Sequence, residues 1–329
     1  MAARQGSLIA SLRSQIGRRR RLDALSGARG VFAVAAIDHR DALTAAHARA
    51  GLPAPTKDQV QRFKATVIAA LAPHATGVML DSEAGGLALA TGAPGRGPVV
   101  MPLEAQGYSD VESGRVTTFL PGWSPARAAE SGASACKLLL PYRPEHEASA
   151  ARQDAVVAEA VAGCRSAGLP LIVEPIAYPL ESEDAGELAG RLGPIVLATV
   201  ERLQPIGGDI LKVQFPRAAD ADAEGAWCRR IDTACGETPW VLLGGGGDAA
   251  GFARDVEVSC RAGASGFIAG RTLWQAALGL EGDELVDRLE TVCVPLVKRL
   301  RALADAHGRP WRERLGVVEA PPADWWSAG

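Results

Sequence analysis

Lysine is rare in this chain, and two of its lysines lie where a charge is not expected. Only five of the 35 basic residues are lysines. Lys137 and Lys212 lie inside the apolar runs ACKLLLP and DILKVQFP, where burying a charge is costly unless the charge is paired or neutralised. An amine in such a position can attack a carbonyl carbon. These two lysines are therefore the first candidates for catalysis.

The other three lysines have simpler interpretations. Lys57 and Lys64 are expected on the polar face of an amphipathic helix, and such a face is normally solvated. Lys298 lies among other basic residues on a helix near the end of the chain. We expect all three to be surface residues without a catalytic role.

Strand alternation predicts where the two unusual lysines point. Because successive side chains of a strand face opposite ways, Lys212 shares a face with Ile210 and opposes Leu211. The face of Leu211 suits covering helices, so Lys212 should point into a barrel. The same parity turns Lys137 and Glu174 inward on the two preceding strands. Adjacent parallel strands are about 4.8 Å apart, so the three groups should lie within proton-transfer distance or one water of each other.

The chemistry that suits this trio is Schiff-base formation. It needs an unprotonated amine, whereas a free lysine has a pKa of about 10.4. Burial and a second cation both disfavour an ammonium, so a buried lysine pair favours a nucleophilic amine. Glu174 is placed to be the general acid and base beside the imine. The alternative is a Lys–Glu–Lys ion network that only neutralises itself.

Asp38, in the segment AAIDHRDAL, follows the first apolar run. Its carboxylate could orient a substrate hydroxyl. It could equally cap the helix that follows, and the sequence leaves both roles open.

A site for an anion is predicted after the last two strands. The seventh apolar run ends in four consecutive glycines that include Gly245 and Gly246, and the eighth ends in Gly270 and Arg271. Loops at these positions of a barrel offer backbone N–H groups and a helix N-terminus to a phosphate. A guanidinium suits a phosphate or a sulfonate. We therefore expect an oxyanion to bind here.

The elements that must position these residues alternate regularly along the chain. Eight short apolar runs are separated by amphipathic segments of helical period, a pattern that predicts βα units around a parallel sheet. The expected fold class is α/β, a (β/α)₈ TIM barrel, with an open doubly wound sheet as the alternative. The predicted strands are 31–38, 76–81, 98–104, 135–141, 169–175, 208–216, 239–245 and 265–270, and the clearest predicted helices are 56–74, 147–168, 183–203 and 248–263.

One domain is expected for the whole chain, 1–329. The barrel should span about 31–282, and 283–329 should contain one long terminal helix and a polar tail. The tail carries Trp311, Trp325 and Trp326. Tryptophans at a chain end usually pack on the domain or on a second subunit, so we expect a homo-oligomer.

Composition excludes several classes of protein. With 47% hydrophobic and 22% charged residues the chain should be soluble and globular, and a net charge of −3 makes nucleic acid an unexpected partner. No apolar stretch suits an export signal or a membrane span. The six cysteines lack metal-site spacing and are expected to be buried, reduced thiols in the cytoplasm. The run 18–21, RRRR, is interpreted as a solvated helix end rather than an anion site.

Segments spread over about 31–276 resemble the class I aldolases that include tagatose-1,6-bisphosphate aldolase and sulfofructosephosphate aldolase. No single segment is decisive, but the ordered set is specific. The resemblance is carried by AIDHRDAL (36–43), ALAPHATGVMLD (70–81), KLLLPYRPEHE (137–147), IVEPIAYP (172–179), GGDILKVQFP (207–216), PWVLLGGGGD (239–248) and AGASGFIAGRTLW (262–274).

This resemblance implies roles for individual residues. Lys212 would form the imine with a ketose phosphate, Lys137 would assist it, and Glu174 would shuttle protons. Asp38 would take the place of the aspartate in the first-strand motif, and Arg271 would bind the distal phosphate or sulfonate. The substrate should further contact Gly245, Gly246, Gly270, His39, Asp81, Arg143 and Gln214. His39 stands where relatives commonly have glutamine, and Gln214 where they commonly have glutamate.

The expected activity is therefore that of a lyase, a class I aldolase that needs no metal and no cofactor. It would cleave a six-carbon ketose phosphate, or a 6-sulfo ketose phosphate, to dihydroxyacetone phosphate and a three-carbon aldehyde. Three alternatives stay open. These are an aldolase for another phosphorylated keto-sugar acid, as in inositol breakdown; a barrel isomerase or epimerase that uses lysine and glutamate for proton transfer; and a non-catalytic sugar-phosphate sensor.

Overall fold

The computed structural model describes residues 2–111, 114–181, 183–245, 248–315, 321 and 325. Eight parallel strands form a closed barrel in which each strand pairs with its neighbours in chain order. The barrel expected from the sequence is thereby confirmed over the open sheet. Its strands are β1 (Phe32–Ala36), β2 (Gly77–Met79), β3 (Val99–Pro102), β4 (Ala135–Pro141), β5 (Leu171–Ile176), β6 (Ile210–Val213), β7 (Trp240–Leu243) and β8 (Gly266–Ala269).

Helices surround the barrel and fill the connections between its strands. They are α1 (Ala2–Ser26), α2 (Asp41–Arg49), α3 (Lys57–Leu71), α4 (Gly86–Ala90), α5 (Pro125–Glu130), α6 (Glu147–Ser166), α7 (Ala185–Gly190), α8 (Leu192–Leu203), α9 (Ala221–Cys235), α10 (Ala249–Arg261), α11 (Arg271–Trp274), α12 (Gly282–Arg288) and α13 (Val294–His307). A π-helical turn, Leu289–Cys293, joins α12 to α13, so the long terminal helix expected from the sequence is present. An antiparallel hairpin, Ser109–Val111 with Gly114–Val116, follows β3.

Local sequence explains where several helices begin. Thr56 accepts a hydrogen bond from the backbone of Gln59, whose side chain accepts one from the backbone of Thr56. Asp184 and Glu187 make the same reciprocal pair at the start of α7. Each pair satisfies two backbone N–H groups that the first turn of a helix leaves free.

Apolar side chains from the strands fill the barrel interior. Their inward positions alternate along each strand, as the pleat requires. The buried interior set is Phe32, Val34, Ala36, Met79, Val100, Ala135, Ile172, Ile210, Val241 and Ile268. On three of the strands the next inward positions after this apolar set are Lys137, Glu174 and Lys212.

Helix α1 packs at the opposite end of the barrel, near the start of β1. Its Leu22 and Leu25 join the interior cluster together with Trp311, whose indole Nε1 donates a hydrogen bond to Ser26 Oγ at 3.1 Å. The run 18–21 lies within α1, which continues to Ser26 and so does not end at this run as expected. Arg20 is exposed and the other three arginines are partly exposed, and Arg18 is 3.6 Å from a carboxylate oxygen of Asp209.

All six cysteines are buried and unpaired, as expected. Burial raises the pKa of Cys228, Cys235 and Cys260 to about 12. These thiols therefore stay protonated near neutral pH. No helix among the described residues combines the length and the apolar composition needed to cross a membrane.

Candidate active site

Ionisable side chains follow apolar ones at successive inward positions of β4, β5 and β6. The inward positions on β6 are Ile210 and then Lys212, and those on β5 are Ile172 and then Glu174. Lys137 follows inward Ala135 on β4 by the same parity. The predicted inward direction of all three side chains agrees with the structure.

The structure brings the predicted catalytic residues together. Lys212 Nζ is 2.8 Å from Glu174 Oε1, and Lys137 Nζ is 3.5 Å from Glu174 Oε2. Lys137 also donates a hydrogen bond to Asp38 Oδ2 at 2.8 Å. Glu174 thus bridges the two lysines, and its Oε2 has no hydrogen-bond partner among the described residues. The carboxylate is therefore placed to exchange a proton with Lys212.

Glu104 is a member of this cluster that the sequence analysis missed. Its Oε1 accepts a hydrogen bond from Lys137 Nζ at 2.6 Å, and its Oε2 accepts one from the backbone of Leu139 at 3.2 Å. The signal was present, because Glu104 has the parity of inward Val100 and lies at the end of the predicted third strand.

The charges of the cluster depend on one another. Burial alone would raise the pKa of Asp38. The neighbouring Lys137, His39 and Lys212 outweigh this effect and together hold the pKa of Asp38 well below its usual range. Burial opposes the charge of Lys137, yet Asp38, Glu104 and Glu174 raise its pKa well above the usual value. Burial also raises the pKa of Glu104. Lys137 is therefore a fixed cation surrounded by carboxylates.

His39 lies beside the cluster as a neutral imidazole. Burial lowers its pKa to about 4, against the opposing effect of Asp38. Its Nδ1 has no hydrogen-bond partner among the described residues, and its ring packs edge-on against Trp274 with 5.3 Å between centroids. A neutral imidazole can act as both donor and acceptor, and here its buried Nδ1 lies 3.8 Å from Asp38 Oδ1.

The structure describes Gly245, Gly270 and Arg271 of the predicted anion site. Arg271 begins α11, and its Nη2 donates a hydrogen bond to the carbonyl of Gly245 at 3.3 Å. A side chain at Gly270 would place its Cβ 2.3 Å from Cε1 of His39 and 2.9 Å from the carbonyl oxygen of Ala36, so glycine is required where the turn after β8 meets the end of β1. Gly246 lies outside the described residues. The loops after β7 and β8 are thus in contact at the position expected for an oxyanion.

Asp81 and Lys64 differ from their expected roles. Lys64 was expected on a solvated face and Asp81 at the substrate, but both are fully buried and form an ion pair. The other carboxylate oxygen of Asp81 accepts hydrogen bonds from the backbone of Glu83 and Ala84. Neither side chain is accessible to a ligand in this structure.

Arg143 and Gln214 also have protein partners. Arg143 is fully buried, donates to the carbonyl of Tyr178 at 2.7 Å and is paired with Glu183, so it holds the loops after β4 and β5 rather than lining the site. Gln214 accepts a hydrogen bond from the backbone of Ala177 at 2.6 Å. It also lines a cavity of about 300 Å³ that reaches Gly245, so its side chain borders open space beside the site.

Comparison with known proteins identifies the family. A family model described as DeoC/LacD family aldolase matches residues 32–276, a span that contains all eight barrel strands and the whole cluster. The chain belongs to the DeoC/LacD aldolase family. It is therefore an aldolase, and hence a lyase, as the sequence predicted.

Curated relatives of this aldolase share most of its length. It is 28% identical over 321 residues to a tagatose 1,6-diphosphate aldolase of Listeria monocytogenes (serotype 4a, strain HCC23), covering 91% of this chain and 94% of the relative. It is 26% identical over 316 residues to tagatose 1,6-diphosphate aldolase 2 of Streptococcus mutans, covering 89% and 96%.

A solved structure supports the fold independently. Fructose-bisphosphate aldolase of Plasmodium falciparum, in complex with TRAP and a small-molecule inhibitor, superposes with a TM-score of 0.67 at 14% identity, covering 93% of this chain and 96% of that one. At this identity the likeness supports the barrel fold alone. Among the described residues, no group of three or more His, Cys, Asp or Glu side chains is arranged to hold a metal ion.

Proposed function

We propose that this aldolase cleaves a phosphorylated six-carbon ketose through an imine on Lys212. The observation that carries the proposal is the distance of 2.8 Å between Lys212 Nζ and Glu174 Oε1 inside the barrel mouth. This is hydrogen-bond distance, as a proton transfer between the two groups requires. The names of the relatives support a ketose bisphosphate as the substrate.

The steps follow from the contacts. Lys212 gives a proton to Glu174, and its amine attacks C2 of the ketose to form a carbinolamine. Glu174 returns the proton to the carbinolamine hydroxyl, which leaves as water and gives the iminium. The C4 hydroxyl, held in line by Asp38, then gives its proton to Glu174. The bond between C3 and C4 breaks, C4 becomes the aldehyde, and the electron pair moves into the iminium to give an enamine. Glu174 passes that proton to C3, and hydrolysis of the resulting iminium by water releases dihydroxyacetone phosphate and restores the amine.

No metal or cofactor is required in this scheme, because the iminium accepts the electron pair that a metal-bound carbonyl would otherwise accept. Lys137 contributes a fixed positive charge near the reacting carbonyl oxygen. Arg271 and the backbone of Gly245 and Gly270 would hold a terminal phosphate or sulfonate. A chelator is expected to leave turnover unchanged, and loss of activity on chelation would contradict the scheme.

Borohydride trapping tests the proposal. Reduction in the presence of dihydroxyacetone phosphate should attach the three-carbon unit to the peptide that contains Lys212 and abolish activity. Lys212→Arg should prevent both trapping and turnover with the fold intact. The matched control is Lys298→Arg, an exposed lysine on α13. Trapping at another lysine, or normal turnover of Lys212→Arg, would refute the assignment.

The substrate itself is tested by a panel. Tagatose 1,6-bisphosphate, fructose 1,6-bisphosphate and 6-sulfo ketose 1-phosphates would be assayed for release of dihydroxyacetone phosphate. We propose that phosphate and sulfonate both bind beside Arg271, because a guanidinium accepts either oxyanion. Release of malonic semialdehyde from a keto-sugar acid, with no cleavage of these ketoses, would favour the inositol-type alternative.

A cytoplasmic homo-oligomer is the assembly that we propose. Trp311 packs within its own chain, so the aromatic tail supports an oligomer only through Trp325 and Trp326, of which Trp326 lies outside the described residues. Light scattering after gel filtration should give a mass above that of one 34.2 kDa chain. A monomeric mass at micromolar concentration would contradict this part of the proposal.

A further inference from the structure

Two fully buried charges lie outside the catalytic cluster and have no part in the proposed steps. Lys64 on α3 and Asp81 after β2 are both inaccessible to solvent and are paired with each other. Stability is a poor reason for keeping such a pair, because replacing buried ion pairs with apolar groups is often neutral or stabilising. A role in placing other groups explains the pair better.

Asp81 joins helix α3 to the turn after β2. One carboxylate oxygen binds Lys64, and the other accepts hydrogen bonds from the backbone of Glu83 at 3.1 Å and of Ala84 at 2.7 Å. The turn is tight, since a Cβ at Gly85 would lie 2.3 Å from the carbonyl oxygen of Asp81. The ion pair therefore fixes both the position and the conformation of this turn.

The turn after β2 is also linked to the catalytic cluster, which consists of Asp38, Glu104, Lys137, Glu174 and Lys212. Glu83 forms an ion pair with Arg40, and Arg40 Nη2 donates a hydrogen bond to the carbonyl of Glu104 at 2.8 Å. Arg40 comes two residues after Asp38. It thus connects the segments that carry Asp38 and Glu104, the two carboxylates that accept hydrogen bonds from Lys137.

We propose that Lys64 and Asp81 are positioning residues that act through Glu83 and Arg40 to set the carboxylates around Lys137. Without the pair, the turn after β2 loses its anchor, and Arg40 no longer holds the two catalytic segments at a fixed separation. Small misplacements of this kind are costly in an active site, where about 1 Å can reduce the rate about 100-fold. The inference rests on the proposed function only in its activity measurements.

The variant that tests the inference is Lys64→Met with Asp81→Leu. It removes both charges at once, so that no buried charge is left without a partner. Lys57→Met is the matched control, because Lys57 is exposed at the start of the same helix. Glu83→Gln removes the ion pair with Arg40 at a side chain that is half exposed. This single variant keeps the inference testable if the double variant does not fold.

Hydrogen–deuterium exchange followed by mass spectrometry needs no substrate. We expect faster exchange in peptides covering 81–85 and 103–106 of the double variant, with the rest of the barrel protected as before. Glu83→Gln should accelerate exchange at 103–106. Unchanged exchange at 103–106 in both variants would overturn the inference, whether or not Lys212 forms an imine.

Steady-state kinetics supply the second test. The double variant should lose about 10- to 100-fold in kcat with little change in KM. Its melting temperature should fall modestly, because Asp81→Leu also removes the acceptor of two backbone hydrogen bonds. Adding Glu83→Gln to the double variant should lower kcat no further, because the effects of substitutions within one linked set of residues are not additive. A normal kcat in the folded double variant, or fully additive losses, would overturn the inference. Absence of imine trapping in the wild type would instead refute the proposed function.

Discussion

Replacing Lys137 with methionine should destabilise the protein strongly near pH 8 and much less near pH 5. Lys137 Nζ lies 2.6 Å from Glu104, 2.8 Å from Asp38 and 3.5 Å from Glu174. Methionine fills a similar volume but carries no charge, so the three buried carboxylates would face one another. Removing one partner of a buried ion pair costs about 3–5 kcal/mol, and we expect a loss of this size where all three are ionised.

The pH dependence follows from linkage. In the wild type the pKa of Asp38 is depressed, so the stability it contributes is present above its unfolded pKa and is lost only as the pH falls through the lower folded value. Without Lys137 the sign reverses, because buried carboxylates then bind protons more readily than unfolded ones. For each extra proton that the folded variant binds, its loss of unfolding free energy shrinks by about 1.4 kcal/mol per pH unit of acidification. Glu104 should protonate first, since burial already raises its pKa.

Urea denaturation of the wild type and of Lys137→Met at about pH 5, 6.5 and 8 measures the effect. The difference in unfolding free energy should shrink steadily from pH 8 to pH 5. Lys57→Met, an exposed lysine, should show a difference below about 0.5 kcal/mol at every pH. A difference for Lys137→Met that is pH-independent, or smaller than about 1 kcal/mol at pH 8, would refute the placement of these charges.

Three further predictions concern the site. Glu174→Gln should still be trapped by borohydride at the catalytic lysine but turn over about 10²- to 10⁴-fold more slowly, and loss of trapping would reassign Glu174. Arg271→Gln should raise KM for a phosphorylated ketose about 10- to 100-fold, the equivalent of one charged hydrogen bond, and an unchanged KM would place the anion elsewhere. Gly270→Ala should lower kcat and cost about 1–3 kcal/mol of unfolding free energy, since the new Cβ would lie 2.3 Å from His39. Gly190→Ala, with open space around it, should leave activity and melting temperature unchanged.

The barrel could be predicted because its signal repeats along the chain. Each apolar run is followed by a segment of helical period, and only a closed parallel sheet makes all eight runs equivalent. Strand ends were predicted less well. The run 31–38 became β1 at Phe32–Ala36 and 239–245 became β7 at Trp240–Leu243, because the predicted runs extend to Asp38 and Gly245, which lie beyond the strands.

The errors have local causes. Lys64 was assigned to the polar face of α3 by its charge alone, although Lys64, Val67, Ile68 and Leu71 have the spacing of a single helical face and all are buried. Its partner comes from a different element, and pairing across elements is not encoded in periodicity. The extent of helix α1 beyond the run 18–21 was not predicted for a related reason, since its packing face is recognised only against the end of a closed barrel.

The structure separates the roles of the two active-site lysines in a way that the sequence could not. From the sequence, Lys137 was a second cation expected to repel a proton from Lys212. In the structure three carboxylates surround Lys137, whereas Lys212 has an ion pair with Glu174 alone among the described residues. To become a nucleophile, Lys137 would have to give up three ionic contacts, but Lys212 gives up one, and gives its proton to the same group. In the proposed mechanism, the number of carboxylate partners, more than the presence of a neighbouring cation, therefore favours Lys212 as the amine that attacks.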